Sequence, residues 1–283
     1  MNDRIGRGAS FLIVAVIYIL ASVVGIVTYR MLPYPLWLSL LIADTAATVF
    51  TFIFSLIFRN ASVYDPYWSV QPIVILAAFA VGQTLTLPRV LLLISVCVWG
   101  VRLTANWAYT FHGLGHQDWR YTMLCEKTGV FYPIINFVGI HMVPTLVVYG
   151  CVLPGVVMLT EDAAFNAGCV AGFVFAIGAA ILQGSSDCQM HAFRKNRTGE
   201  FIRSGLWKYS RHPNYLGEII MWWSVALMAV SSLGFRWYLI AGAIANTLLF
   251  LCVSIPLADG RQSRKPGFAE YKRATRVLLP IKK

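Results

Sequence analysis

Residues 205–232 read GLWKYSRHPNYLGEIIMWWSVALMAVSS. Within fourteen residues this stretch passes from an Arg-His pair, aromatics, an Asn and a Glu into an almost unbroken apolar run. Pro213 lacks a backbone N–H and is pre-set for the first turn of a helix, so a helix is expected to start there. The run that follows is apolar on every face, which suits a bilayer and not the surface of a soluble domain. The segment therefore predicts a helix that leaves a polar loop and enters a membrane.

The rest of the chain repeats that pattern. Of 283 residues, 58% are hydrophobic and only 12% charged, and the mean hydropathy is +0.67, outside the range of water-soluble domains. A spanning helix needs roughly 20 apolar residues. About eight segments meet or approach that length: Phe11 to Tyr29, Trp37 to Phe58, Gln71 to Leu87, Arg89 to Phe111, Tyr132 to Leu153, Phe165 to Cys188, Tyr215 to Ser232 and Phe235 to Pro256. The fold class expected is an all-α polytopic membrane bundle. No long linker, repeat or low-complexity tract divides it, so residues 1–283 read as a single domain. The first segment lacks a small-residue cleavage pattern and reads as a retained helix, not a signal peptide.

Basic residues fall mostly on one side of these spans. That side carries Arg4, Arg7, Arg59, Arg120, Lys127, the cluster Arg194, Lys195, Arg197, Arg203, Lys208 and Arg211, and the tail from Arg261 to Lys283. The other side has Arg30, Arg89, Arg236 and the acidic pair Glu161 and Asp162. Short loops rich in Lys and Arg stay in the cytoplasm, so both termini are expected there. The net charge of +11 is accounted for by topology and lipid headgroups, which removes the argument for nucleic acid as a partner. The six cysteines show no paired spacing, so neither a disulfide framework nor a metal site is expected.

Two loops on the basic side are long enough to build a site. The first, residues 112–131, follows a span that ends WGVRLTANWAYTF. Arg102 and Asn106 share one face of that helix, and a polar face inside a membrane points at the bundle interior or a wet cavity. Structural hydrogen bonding and ligand contact stand level for Arg102, whereas Asn106 reads as structural. The second loop runs from Asp187 to Asn214. Gln183 and Asp187 lie one turn apart at its start, and Asp187 and Arg194 lie two turns apart on one face, which suits a shared ligand contact. Lys195, Arg197 and Lys208 read as solvated charges that set topology. At the far end Arg211 and His212 precede Asn214 and Glu218, which are i and i+4 on the new helix beside Tyr215. Its first turn presents free N–H groups suited to phosphate, and Gly217 leaves room for a neighbouring helix. Glu218 enters the apolar zone and needs a partner, for which Arg102, Arg194 and Arg211 are the candidates.

These residues carry a resemblance. DPYWS at 65–69, WGVRLTANW at 99–107, DWRY at 118–121, SRHPNYLGE at 210–218, RKPGFAEY at 264–271 and the final LLP occur together and in order. The chain resembles the steroid 5-alpha-reductase family, most closely its bacterial DUF1295 branch. The resemblance implies a helical membrane enzyme that uses NADPH to reduce a carbon-carbon double bond conjugated to a carbonyl in a hydrophobic, lipid-like or steroid-like substrate. It implies cofactor contacts at Asp187, Arg194, Asn214 and Glu218, with Gln183 in place of a family Asn. Arg102, Arg211, His212 and Tyr215 are grouped with them as candidate contacts.

On the substrate side the resemblance puts Asp65 where the steroid enzymes have a glutamate. Trp99 stands where they have a tyrosine that binds the substrate carbonyl. Indole cannot relay a proton as phenol does, so Tyr67, Tyr64 or Tyr109 would have to substitute. A protonated Asp65 could stabilise the developing enolate, although a helix N-cap or turn role before Pro66 accounts for it equally well. The family's C-terminal His and Tyr lack a clear match, and Arg261, Arg264 and Tyr271 are the possible replacements. The branch implies a bacterial inner membrane, and an endoplasmic reticulum location would present the same face.

Two other readings stand beside the reductase. RHPNYLG also resembles membrane methyltransferases that use S-adenosylmethionine, but those carry a glutamate pair after the last span where this chain has Asp259-Gly260. A non-catalytic sterol-binding protein could keep the fold without the chemistry.

Overall fold

The computed structural model describes residues 5–196 and 200–279. Arg4, Arg197 and the end of the LLP motif lie outside them. Among the described residues the chain is helical with no strand, as the bilayer requires of segments that must satisfy every backbone group internally. The helices are α1 (Arg7–Met31), α2 (Leu36–Ile57), α3 (Tyr67–Ala80), α4 (Leu87–Thr110) and α5 (Trp119–Thr128). After a turn at Gly129, α6 covers residues 132–160 and contains a π-helical stretch, Asn136–Met142. Then come α7 (Ala167–Asn196), α8 (Pro213–Leu233), α9 (Tyr238–Gln262) with a π-helical stretch at Phe250–Ser254, and the short α10 (Phe268–Ala274).

Seven of these segments, with Trp119–Thr160 taken as one, are long and apolar enough to cross a membrane. The chain is an integral, multi-pass membrane protein. The third expected span is the exception, because α3 has only 14 residues. It begins four residues earlier than the apolar run suggested and stops before a turn in which Gly82 takes φ 80°. At about 1.5 Å per residue it is roughly 21 Å long, short of the ~30 Å hydrocarbon thickness.

The bundle has two dissimilar ends. At one, Arg89 is buried and donates to the carbonyls of Thr84, Met158 and Glu161, so it caps the last turn of α6. Arg236 pairs with Glu161 through both guanidinium nitrogens at 2.8 Å. The other end carries the long basic loops. Turn 60–62 is tied to loop 114–118 there: Asn60 Nδ2 donates to the Leu114 and His116 carbonyls, and the Asp118 N–H donates to Ser62 Oγ. The tail crosses the Arg-His segment, with the Arg211 and His212 N–H groups donating to the carbonyls of Arg276 and Val277.

Helices α7 and α8 share the most extensive contact in the bundle, and Gly217 shows why. A Cβ there would stand 2.5 Å from Gln183 Cγ and 2.8 Å from the Ala179 carbonyl oxygen. Small residues at such a crossing let two backbones approach inside a membrane, where packing replaces the hydrophobic drive. That approach sets Gln183 against Glu218.

Candidate functional site

Two polar assemblies meet at the basic end, one closed and one open. The closed one centres on Glu218, which is 5% exposed. Its Oε2 accepts from Trp99 Nε1 at 2.8 Å and Gln183 Nε2 at 2.6 Å, and its Oε1 accepts from Trp222 Nε1 at 2.9 Å. Gln183 passes the chain outward, accepting from Arg102 at 2.6 Å, and Arg102 also pairs with Asp187 at 2.7 Å. None of the three arginines expected for Glu218 touches it directly. Trp99 is fully buried against Trp222, with ring centroids 4.9 Å apart, and its N–H is spent on the carboxylate.

The open assembly is a cavity of about 1080 Å³. Asp187, Arg194, Arg211, His212, Asn214 and Tyr215 line it, and so does Asp65. Gln183, Glu218, Arg102, Trp99 and Tyr67 do not. The start of α8 faces this space, since Pro213, Asn214 and Tyr215 form its first turn after an N-cap at His212. The His212 ring lies parallel to Tyr215 at 5.1 Å. Asp259 holds Arg211 at 2.9 Å and His212 at 3.0 Å, a closure the sequence reading missed. The signal was present: a carboxylate at the end of an apolar helix needs cations, and an Arg-His pair was available.

Three cations on the wall lack a carboxylate partner among the described residues. Arg194 makes no hydrogen bond or close ion pair among the described residues, although Asp187 and Asp118 are near enough to act on its charge. Arg261 lies over the Trp119 ring at 4.1 Å, and Lys265 donates to the backbone carbonyl of Glu200. Two guanidiniums and an ammonium lining one cavity make a surface for a polyanion, because guanidinium and phosphate match in geometry and charge. Trp119, Trp207 and Tyr215 give flat apolar faces on the same wall. The volume is at the upper limit of small-molecule sites, where ligand pockets run to roughly 1,000 Å³.

Tyr121 donates to Oδ1 of Asp65, in the same cavity lining, at 2.5 Å. Burial pushes the Asp65 carboxyl up to about 6, more than the nearby Arg120 and the Tyr121 hydrogen bond lower it. Asp118 behaves oppositely. Burial raises it, but the Arg120 charge and its hydrogen bonds outweigh that and hold it below the usual range. Asp65 is the C-cap of the 3₁₀ turn Ala61–Tyr64, whose N-cap is Asn60, and not the N-cap of α3, which is Pro66. One carboxyl on the wall is thus held protonatable and its neighbour ionised.

Tyr67 points elsewhere, toward Asp44 at 3.3 Å and Thr48 at 3.5 Å in the middle of the bundle. Tyr64 bonds Thr145 at 2.7 Å, and Tyr109 packs on His191 at 4.8 Å. Of the C-terminal candidates, Arg261 and Tyr271 reach the cavity, and Tyr271 donates to the Trp207 carbonyl.

No curated protein and no solved structure is significantly similar to this chain. The sequence profile of DUF1295, a family described as a protein of unknown function, matches residues 51–275. That range contains the first turn of α8, the Glu218 network and all the cavity residues named above, and the chain belongs to the DUF1295 family.

Proposed function

We propose that this chain is a membrane oxidoreductase that binds NADPH in the basic-end cavity and reduces a double bond conjugated to a carbonyl in a hydrophobic, lipid-like or steroid-like substrate. The observation that carries the reading is a set of three cations, Arg194, Arg261 and Lys265, that form no ion pair among the described residues and line the cavity into which the first turn of α8 also opens. NADPH brings a diphosphate, a further phosphate and two ring systems, and this cavity offers guanidiniums, an ammonium and aromatic side chains for them. The positive-inside distribution puts the cavity on the cytoplasmic face, where the cofactor is found.

Bound there, NADPH supplies a hydride for the β carbon of the enone. The protein's own part is positional and acidic. Arg194, Arg261 and Lys265 hold phosphate, while Asn214, Asp187 and Tyr215 line the inner wall. Glu218 acts at one remove: by engaging Trp99, Gln183 and Trp222 it fixes Gln183, hence Arg102, hence Asp187. Asp65 in its protonated form donates a hydrogen bond, and then the proton, to the oxygen on which charge develops. S-adenosylmethionine chemistry is less well supported, because Asp259, the acid at the position those enzymes use, is already engaged by Arg211 and His212.

The test is turnover by purified protein, followed as loss of NADPH absorbance with an enone lipid and with its saturated analogue. Oxidation is expected only with the enone, and Asp65→Asn should slow it about 100-fold, the lower range for loss of a general acid. Binding of S-adenosylmethionine with methyl transfer, or no binding of NADPH at all, contradicts the proposal.

A further inference from the structure

A second cavity lies away from the basic-end site, between α1, α2 and α3. Its volume is about 220 Å³, and it shares no lining residue with the larger one. Its walls are largely apolar and built from small side chains such as Ala21, Gly25, Ala43 and Ala78. Ser22, Arg30, three tyrosines and the buried pair Asp44 and Gln71 interrupt them. Asp44 is 4% exposed and Gln71 is 7% exposed. Gln71 Nε2 donates to Asp44 Oδ2 at 2.6 Å, and the Tyr67 hydroxyl donates to Asp44 Oδ1. The donation to Asp44 fixes the amide orientation and turns the other amide atom away. Gln71 lines the cavity, and its Oε1 is buried without a hydrogen-bond partner.

An amide oxygen at this depth has no water to fall back on. It accepts and cannot donate, so its missing partner is an O–H or N–H group. An aliphatic carboxylate would bring a second negative charge toward Asp44. From Gln71 to Phe79 the slot follows α3 over eight residues, about 12 Å at the helical rise, and Ala78 on that stretch is exposed at its edge. Volume, length and lateral opening fit one hydrocarbon chain that enters from the bilayer with its polar group inward.

We propose that this slot is a binding site for a neutral lipid alcohol, whose hydroxyl donates to Gln71 Oε1 beside Asp44 and whose chain runs along α3 past Ala78. The site is separate from the reductive cavity and does not depend on the reading of that cavity.

The experiment uses the purified full chain in lipid nanodiscs and a photoreactive dodecanol, with labelled peptides mapped by mass spectrometry. Labelling is expected within 18–30, 40–47 and 67–79, with or without NADPH. Dodecanol should compete at least tenfold better than dodecane, dodecylamine or dodecanoate. Gln71→Leu should reduce labelling about tenfold, a loss of ~1.4 kcal/mol. Ala78→Trp, placed at an exposed position, should abolish it without loss of fold. Equal competition by dodecane overturns the proposal, since the slot would then hold any hydrocarbon. Stronger competition by the amine assigns the site to a cation at Asp44 and overturns it too, as does stronger competition by dodecanoate, which would put an anionic head at Arg30 in the far lining. Unchanged labelling in Ala78→Trp overturns it independently of Gln71.

Discussion

Glu218 and Asp44 are buried carboxylates with no ion pair among the described residues, and their surroundings differ in kind. Glu218 is surrounded by donors: two indoles and one amide fill both oxygens, and neither of the two cavities described above is lined by it. Asp44 has a phenol and an amide, and that amide leaves its own buried oxygen without a partner in a residue that lines a cavity. Burying a carboxylate is costly in both places. Around Glu218 the cost is met from within the fold, which makes a rigid brace under the larger cavity. Around Asp44 the accounting stops one hydrogen bond short, which is the condition of a site waiting for a ligand.

The comparison can be broken first at Glu218. Glu218→Leu leaves three N–H donors buried without acceptors and should cost about 3 to 5 kcal/mol, measured as thermal unfolding in detergent. Replacing Asp44 and Gln71 by Leu together with Tyr67 by Phe removes the acceptor and both of its donors at once and should change stability by less than about 1 kcal/mol. A severe loss in that triple variant would mean that both carboxylates are structural. Next in size is Gly217→Ala, where the added methyl meets the Ala179 carbonyl and α7 and α8 must part. Overpacking of that kind costs about 1 to 3 kcal/mol, and weaker NADPH binding should accompany it if Glu218 positions Asp187. Arg194→Ala should leave the melting temperature unchanged and weaken NADPH binding about tenfold, ~1.4 kcal/mol.

The smallest effect concerns pH. Asp65 has its folded-state value raised from 3.8 to about 6. The folded protein therefore holds that proton more tightly than the unfolded chain does. The stabilisation is complete below about pH 3.8 and is lost as pH rises through about 6. Turnover that needs the protonated carboxyl should fall through the same window, and Asp65→Asn should flatten the profile.

Much of the fold was legible because membrane helices are written in length and apolarity, which survive without knowledge of neighbours. Pro213 marked the start of α8 correctly, and Gly217 marked a close crossing. The third span was placed four residues late, since α3 begins on the polar DPYWS motif and its first turn is not apolar. Within the site, Asp187, Arg194, Asn214 and Tyr215 do share a cavity with Asp65. The Glu218 partners were not readable, because an indole in an apolar run looks like packing and its N–H matters only once a partner 119 residues away is known. Trp222, one turn beyond Glu218, could have been found from spacing alone. Asp44 was passed over although a carboxylate in the middle of a span is a functional signal in its own right. The pairing of Asp259 with Arg211 and His212 joins residues about 47 positions apart and needs the tail folded back to be seen.

The most direct test is a binding titration of the intact protein with NADPH, read as quenching of tryptophan fluorescence, since Trp119 and Trp207 line the cavity. Saturable quenching is expected, with affinity reduced at least tenfold in Arg194→Ala/Arg261→Ala and unchanged in Gln71→Leu. The absence of saturation, or equal affinity in the double arginine variant, would contradict the assignment of this cavity to a phosphorylated dinucleotide.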